Sequence, residues 1–246
     1  MAQAVSLSRR VAAEFIGTAM LLAAIVGSGI MGERLAAGNL AITLLANSLA
    51  TGAALVALIL TFGPMSGAHF NPLVTLADAS QGGLSWRDVP VYVLAQVLGA
   101  LLGVAAANSM FDLPLYTLSQ HVRHGSGQLP SEGVATFGLL AVIWGCSRHR
   151  PAAVPYAVGA YITAGYWFTA STALANPAVS IARSLTDTFS GIRPVDVPAF
   201  VLVQCMGAAA ASAILRWLMP SSPPQARAVT VSSPAEIPCT TPRSLP

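Results

Sequence analysis

Long apolar stretches dominate the pattern of hydrophobic and polar positions. A helix that crosses a bilayer needs about 20 mostly apolar residues, because each residue rises about 1.5 Å through roughly 30 Å of hydrocarbon. Five stretches plainly reach this length: Val11–Met31, Leu40–Phe62, Val89–Met110, Ala152–Leu174 and Val197–Leu215. A sixth stretch, Glu132–Cys146, is shorter and needs flanking residues to reach it. The pattern therefore predicts an all-α membrane protein with six transmembrane helices.

Composition agrees with a membrane protein and excludes several other classes. Only 9% of the 246 residues are charged and 54% are hydrophobic, whereas a soluble domain has about 25% charged residues. All 12 basic residues are arginines scattered along the chain, which excludes a nucleic-acid-binding stripe. The cysteines Cys146, Cys205 and Cys239 are odd in number and lack metal-ligand spacing. We therefore expect neither a metal site nor a cofactor.

The arginines also predict the orientation of the chain. Six spans put both termini on one side, and eight of the 12 arginines outside the spans fall on that side. The positive-inside rule then predicts that both termini are cytoplasmic. Residues 1–10 form the N-terminal segment, and residues 220–246, which are rich in Pro and Ser, are predicted to be a disordered cytoplasmic tail.

The chain contains an internal repeat. The sequence DVPVYVLAQVLGA at Asp88–Ala100 recurs as DVPAFVLVQCMGA at Asp196–Ala208, an offset of 108 positions. An Asn-Pro tract precedes each copy, and each half carries one acid in its first span, Glu14 or Glu132. The halves, residues 11–110 and 111–219, are thus three-span units, and an odd number of spans turns the second copy upside down. Inverted repeats of this kind are typical of pores and transporters.

The two Asn-Pro tracts predict special backbone inside the membrane. Each tract, beginning at Asn71 or Asn176, stays apolar for only about nine residues, too few to cross a bilayer. Asn caps a helix and Pro suits its first position, so one such tract alone would indicate an ordinary loop-to-helix junction. Two at matching places predict re-entrant half-helices, over 71–80 and 176–186. Their positive dipole ends would meet at the midplane and line a cavity.

These motifs resemble the aquaporin, or major intrinsic protein, family. The resemblance rests on SGAHFNPLVT at Ser66–Thr75, NPAV at Asn176–Val179, AEFIGT at Ala13–Thr18 and the pair AQVLGA and VQCMGA. It extends over nearly the whole chain, to about Met219. The resemblance implies an aquaporin-like fold of six transmembrane helices and two half-helices in two inverted repeats. It also implies a passive channel rather than an enzyme, in a homotetramer with one pore per subunit.

The resemblance also implies roles for individual residues. In the family the two motif asparagines donate hydrogen bonds to the permeating molecule, and the polar residues around them hold loop backbone in place. Leu73 stands where the family usually has Ala, and we interpret it as a packing change rather than a narrowing of the midplane. The midplane motifs are Asn71, Pro72, Leu73, Asn176, Pro177 and Ala178, and the polar supports are Glu14, His69, Gln96, Glu132 and Gln204.

The filter positions depart from the family pattern. The family has an arginine directly after the second motif, and this chain has Val179 there. Spacing carries the other filter positions over to Thr51, Ala164 and Ala173, which predicts a wide, weakly polar and uncharged filter. Arg183 lies one helical turn further on and could stand in for the missing arginine, but we interpret it as pointing to the outer mouth or to a neighbouring subunit.

With Val179 directly after the second motif, the chain resembles a bacterial branch of the family whose members tend to accompany arsenic-resistance genes. Arsenous acid is neutral near pH 7 and carries three hydroxyls, like a small polyol. The resemblance therefore implies a channel in the bacterial inner membrane for metalloid acids and polyols such as glycerol, with water as a further permeant.

Three other functions are compatible with parts of the sequence: a water-selective channel, an ion-coupled transporter and an intramembrane enzyme. The aromatics Tyr166–Phe168 are interpreted as an interfacial belt, but turned inward they would produce a narrow, water-selective channel. An ion-coupled transporter would need acids or histidines free to bind the ion. If the protein is a channel, a structural role explains each of the candidates here, which are Glu14, Glu132, Asp78 and His69. No nucleophile and base are paired, so an intramembrane enzyme is set aside.

Overall fold

The computed structural model describes residues 5–219, and within that range the fold is all-α. The first four residues and the predicted tail lie outside it. The helices are α1 (Leu7–Leu35), α2 (Leu40–Ser66), α3 (Pro72–Ser80), α4 (Val89–Met110), α5 (Gln128–His149), α6 (Val154–Phe168), α7 (Pro177–Arg183) and α8 (Val197–Leu218), with 3-10 turns at Pro151–Ala153 and Pro194–Asp196. The predicted fold class is confirmed.

Five helices are individually long and apolar enough to cross a membrane: α1, α2, α4, α5 and α8. The stretch Glu132–Cys146, too short by sequence alone, is the centre of a helix of 22 residues. Helix α4 has the bounds that the hydrophobic pattern predicted, and α1, α2, α5 and α8 extend further. Polar and terminal residues continue a helix beyond the hydrocarbon, so apolar runs underestimate helix length.

The predicted span Ala152–Leu174 is wrong at its C-terminal end. Helix α6 has 15 residues and stops at Phe168. Beyond it the backbone is irregular, with positive φ angles at Thr172, Ala173 and Ala175. These residues connect α6 to half-helix α7. Several of them are apolar, like the residues at the end of a transmembrane helix. Hydrophobicity therefore could not separate the end of one helix from the beginning of the next.

The helices pack as two units that share their half-helices. Helix α1 packs on α2 and α4, and α5 packs in the same way on α6 and α8. Half-helix α3 contacts α4 and also α8 of the other unit, while α7 contacts α8 and also α4. Each half-helix is thus held by the last long helix of both units, and α3 and α7 contact each other at the centre.

Two glycines at equivalent positions of the repeat let these helices approach closely. A Cβ on Gly207 would lie 2.5 Å from the carbonyl oxygen of Gly133, so α8 packs directly on the backbone of α5. A Cβ on Gly99, 108 positions earlier, would overlap the carbonyl oxygen of Phe15 in α1. Small residues at such crossings are what allows helix backbones to pack within a membrane.

We predict that Gly207→Ala lowers the stability of the protein. The added methyl group has no room, and overpacking of this kind costs roughly 1–3 kcal/mol. Gly145→Ala is the matched control, since a Cβ there meets no atom within 4 Å and alanine favours a helix by about 0.5–1 kcal/mol. Thermal unfolding in detergent compares the two. Equal melting temperatures for both variants would show that the crossing does not depend on Gly207.

Candidate functional site

The two motif asparagines cap the half-helices with their side-chain oxygens. Oδ1 of Asn71 accepts from the backbone N of Leu73 at 2.9 Å. Oδ1 of Asn176 accepts from the backbone N of Ala178 at 3.0 Å and of Val179 at 3.3 Å. A proline follows each asparagine at the first helical position, where no donor is needed. With each oxygen bound to its own helix, the amide nitrogen is left to point away from it.

Those amide nitrogens join the two half-helices. Nδ2 of Asn71 donates to the carbonyl oxygen of Ala175 at 2.8 Å, and Nδ2 of Asn176 donates to that of Phe70, also at 2.8 Å. Each asparagine thus binds the residue that precedes the other. An amide nitrogen carries two hydrogens, and both asparagines line a central cavity. One N–H on each side therefore remains for a molecule in that cavity.

A buried carboxylate holds the backbone before Asn71. Glu14 is fully buried. Its Oε1 accepts from Ser66 Oγ at 2.6 Å and from the backbone N of His69 at 2.9 Å. Its Oε2 accepts from the backbone N of Phe70 at 2.7 Å and from Gln96 Nε2 at 2.8 Å. Because a buried carboxylate must be compensated by hydrogen bonds, Glu14 and this loop fix each other.

Glu132 does the same before Asn176. It is fully buried and accepts from the backbone N of Leu174 at 2.8 Å, of Ala175 at 2.9 Å and from Gln204 Nε2 at 2.6 Å. Gln204 Nε2 also reaches Ser180 Oγ in α7 at 3.0 Å, as Gln96 Nε2 reaches a threonine in α3. The two halves thus contain the same polar support, on backbone held at positive φ.

His69 is oriented by its own half-helix. Its Nδ1 lies 3.2 Å from Thr75 Oγ1, and its Nε2 lies 3.6 Å from a carboxylate oxygen of Asp78. His69 and Asp78 both line the central cavity on the side of the N-terminus.

The central cavity has a volume of about 470 Å³. It runs from Arg10 and Arg148 at one end, past the two asparagines, to Val179 and Arg183 at the other. Its remaining wall is largely aliphatic, with Leu21, Ile25, Leu55, Ile59, Leu139, Ile143, Val158 and Ile162. The lining therefore combines the polar groups of the two motifs with a largely aliphatic wall from α1, α2, α5 and α6. Leu73 is not in the lining but packs in a buried cluster with Leu140 and Trp144, which agrees with a packing change.

Three of the four filter positions predicted by spacing lie in the cavity wall, and one does not. Thr51, Ala173 and Val179 line the cavity, but Ala164 is exposed on the opposite face of α6. The prediction for Ala164 is wrong because the count crossed the irregular segment 169–175, whose length the helix period does not govern. Tyr166 lies in the wall instead, with its hydroxyl 3.2 Å from Thr51 Oγ1.

Two side chains near the second motif lie closer to the pore than the sequence predicts. Tyr166 is buried in the wall and does not belong to an interfacial belt, whereas Trp167 and Phe168 are exposed. Arg183 is buried at the outer end of the central cavity, which it lines, and its Nε donates to the carbonyl oxygen of Ser190. This end of the cavity is therefore neither uncharged nor weakly polar.

The sequence alone did not single out Arg123, which organises the outer loops. Its Nε donates to the carbonyl oxygen of Gly191 at 2.7 Å and its Nη1 to that of Ser171 at 2.9 Å. Burial, and then the nearby charge of Arg183, lower the pKa of Arg123 to about 9. It borders a second, outer cavity of about 560 Å³. A lone arginine in a loop has no pattern that would have revealed this role.

Comparison with known proteins identifies the family. The family profile described as major intrinsic protein matches residues 1–166 and 148–238. The chain belongs to the major intrinsic protein family. Channels of this family are passive, so the protein is a multi-pass membrane channel and not an enzyme.

Individual relatives extend this assignment. The chain is 54% identical over 222 residues to aquaglyceroporin AqpS of Rhizobium meliloti (strain 1021), covering 90% of this chain and 95% of that protein. It is 34% identical over 199 residues to aquaporin NIP1-1 of Zea mays, covering 75% of this chain and 67% of the relative. The X-ray structure of the aquaglyceroporin from Plasmodium falciparum shares the fold, with a TM-score of 0.67 at 22% identity over 85% of this chain and 96% of that one.

We predict that Glu132→Gln destabilises this channel. A glutamine amide keeps one acceptor oxygen but turns its NH2 group towards one of the two backbone donors, Leu174 N or Ala175 N. Losing a hydrogen bond to a buried charge costs about 1.5–3 kcal/mol. Glu33→Gln, an exposed acid on α1, is the control. Thermal unfolding in detergent measures both. A Glu132→Gln variant that melts with the unaltered protein would contradict the role given to this carboxylate.

Proposed function

We propose that the protein conducts small neutral solutes with several hydroxyl groups, glycerol and arsenous acid foremost, through the central cavity. The observation that carries this proposal is the mixed lining of the cavity. The half-helices supply the amide groups of Asn71 and Asn176, each with one hydrogen unused, and the long helices supply mostly aliphatic side chains. A polyol has the same mixed character, with hydroxyls along one edge and carbon-bound hydrogens along the other.

Hydrogen bonding at the midplane supports the same solute class. The carbonyl oxygens of Phe70 and Ala175 each accept one asparagine hydrogen, and a carbonyl oxygen has a second lone pair. The midplane thus presents both donors and acceptors to a hydroxyl group. Arsenous acid is neutral near pH 7 and carries three hydroxyls, so it makes the same contacts as glycerol. The 54% identity to a protein named an aquaglyceroporin supports the polyol part.

Passive conduction also follows from the charges at the midplane. Both half-helices turn their N-terminal, positive ends to the cavity, which disfavours cations there. The buried carboxylates Glu14 and Glu132 are occupied by the loops that they hold. Neither is free to bind a coupling ion, which argues against ion-coupled transport.

The arginines indicate how the channel is oriented in its membrane. Arg10, Arg148 and Arg216 gather at the end of the molecule that carries the termini, where they contact Asp88, Gln81 and Ser80 respectively. By the positive-inside rule this end is cytoplasmic. We place the protein in the plasma membrane of a bacterium as a homotetramer with one pore per subunit, as expected for this family.

The proposal predicts that Val179→Arg suppresses solute flux. Stopped-flow light scattering on proteoliposomes measures the entry of glycerol, arsenous acid and water. Unaltered protein is expected to pass both solutes. The new arginine is expected to slow them by roughly tenfold or more, because it narrows the pore and adds a second positive charge beside Arg183. Val179→Leu is the control, because it adds volume without charge.

Fast water flux with negligible entry of either solute into liposomes of the unaltered protein would contradict the proposal. That result would favour a water-selective channel narrowed at Tyr166, whose hydroxyl contacts Thr51 in the cavity wall.

A further inference from the structure

Arg183 occupies a position in the pore that its place in the sequence conceals. It is the last residue of α7, four residues or about one helical turn after Val179. The side chain is only 2% exposed, yet it lines the central cavity together with Tyr166 and Thr51. An arginine guanidinium is thus present at the outer end of the pore, although none follows the second motif directly.

The hydrogen bonds of Arg183 leave most of its donors unused. Nε donates to the carbonyl oxygen of Ser190, which fixes the direction of the side chain. Among residues 5–219, neither Nη nitrogen has a hydrogen-bond partner. Neither nitrogen is fully enclosed by those residues. The two Nη groups therefore keep some accessible surface on a side chain that lines the central cavity. Together they carry four N–H donors that no described residue uses.

The hydrogen bonds of Arg123 differ from those of Arg183. Its Nε and both Nη nitrogens donate to the loop residues Gly191, Ser171, Thr172 and Phe189. Its donors are consumed by the protein, so it acts as a clamp for the outer loops. Arg183 is anchored through one nitrogen and free at the other two, which is the arrangement of a group that binds something else.

Burial adds a second argument. No carboxylate pairs with Arg183 among the described residues, and an unpaired buried charge is costly unless polar groups surround it. The carbonyl oxygen of Ser190 is one such group, and oxygen atoms of a solute in the pore would supply others. Arg123, which borders the outer cavity and not the central one, adds a second positive charge nearby.

We propose that Arg183 is the filter arginine of this channel, reaching the filter from one turn further along α7 than the usual position. The inference rests on the proposed function and deepens it. The Nη donors bind oxygen acceptors of neutral solutes, hydroxyl groups above all, and the charge repels protons and other cations. Val179 then widens the ring below the guanidinium rather than removing the charge from the filter.

The test uses the full-length protein in proteoliposomes, with the variants Arg183→Gln and Arg193→Gln. Arg193 is the control, since it lies on the same side, is paired with Asp196 and is absent from the lining of the central cavity. Two readouts are taken: proton leak under an imposed pH gradient, and the ratio of glycerol to propane-1,2-diol entry. Propane-1,2-diol lacks one hydroxyl, so the ratio reports hydroxyl recognition.

Arg183→Gln is expected to raise the proton leak by roughly tenfold or more, as for a change of one charge in a confined cleft, and to lower the solute ratio several-fold. Arg193→Gln should change neither. A monodisperse Arg183→Gln protein with the leak and ratio of the unaltered protein would overturn the proposal. If that variant does not fold, Arg183→Lys keeps the charge but not the forked donors. It should retain the low leak and lose the ratio, and an unchanged ratio would refute the assignment.

Failure of the inference and failure of the proposed function give different results. Unaltered protein that passes neither glycerol nor arsenous acid contradicts the proposed function, whatever the variants do. Unaltered protein that passes glycerol, with Arg183→Gln indistinguishable from it, leaves the function standing and removes Arg183 from the filter.

Discussion

The mutual hydrogen bonding of two half-helices is the constraint on which the pore depends. Asn71 and Asn176 each cap their own helix with oxygen and bind the opposite half with nitrogen. Neither half-helix could begin in the middle of a membrane alone, because the amide nitrogen of its asparagine and the carbonyl oxygen of the residue before it would have no partner there. Together they satisfy each other and still leave one amide hydrogen on each side for the solute. Structure and function thus use the same two side chains.

Around this contact, the two fully buried carboxylates face the protein, whereas the half-helix N-termini and Arg183 face the pore; Asp78, beside His69, is an acid that also lines the cavity. Glu14 and Glu132 are buried behind the half-helices and are consumed by loop backbone. The helix N-termini and Arg183 face the cavity. A neutral solute with several oxygens finds donors along this path, and a cation finds repulsion. Selectivity for neutral molecules therefore follows from the same carboxylates that stabilise the loops.

The repeat made most of the fold predictable from sequence. The order of the helices, the places of the two half-helices and the supports at Glu14 and Glu132 follow from apolar length, from capping chemistry and from the matching of two halves. The helix ends do not, since α6 stops at Phe168 and α7 at Arg183 rather than at 174 and 186. The filter was less accessible. Ala164 was chosen by counting across an irregular loop, and Tyr166 took its place. Arg183 was discounted because position in a sequence does not show where a long side chain reaches, and Arg123 carries no pattern at all.

The most direct test of a passive pore is whether solute entry responds to ion gradients. Glycerol uptake into proteoliposomes would be followed with and without imposed proton and sodium gradients, over a wide range of glycerol concentration. We expect rates that rise linearly with concentration, are unchanged by either gradient and stop when glycerol is equal on both sides. Accumulation of glycerol above its external concentration under an ion gradient would contradict this account, because a fixed pore between two half-helices has no means of coupling.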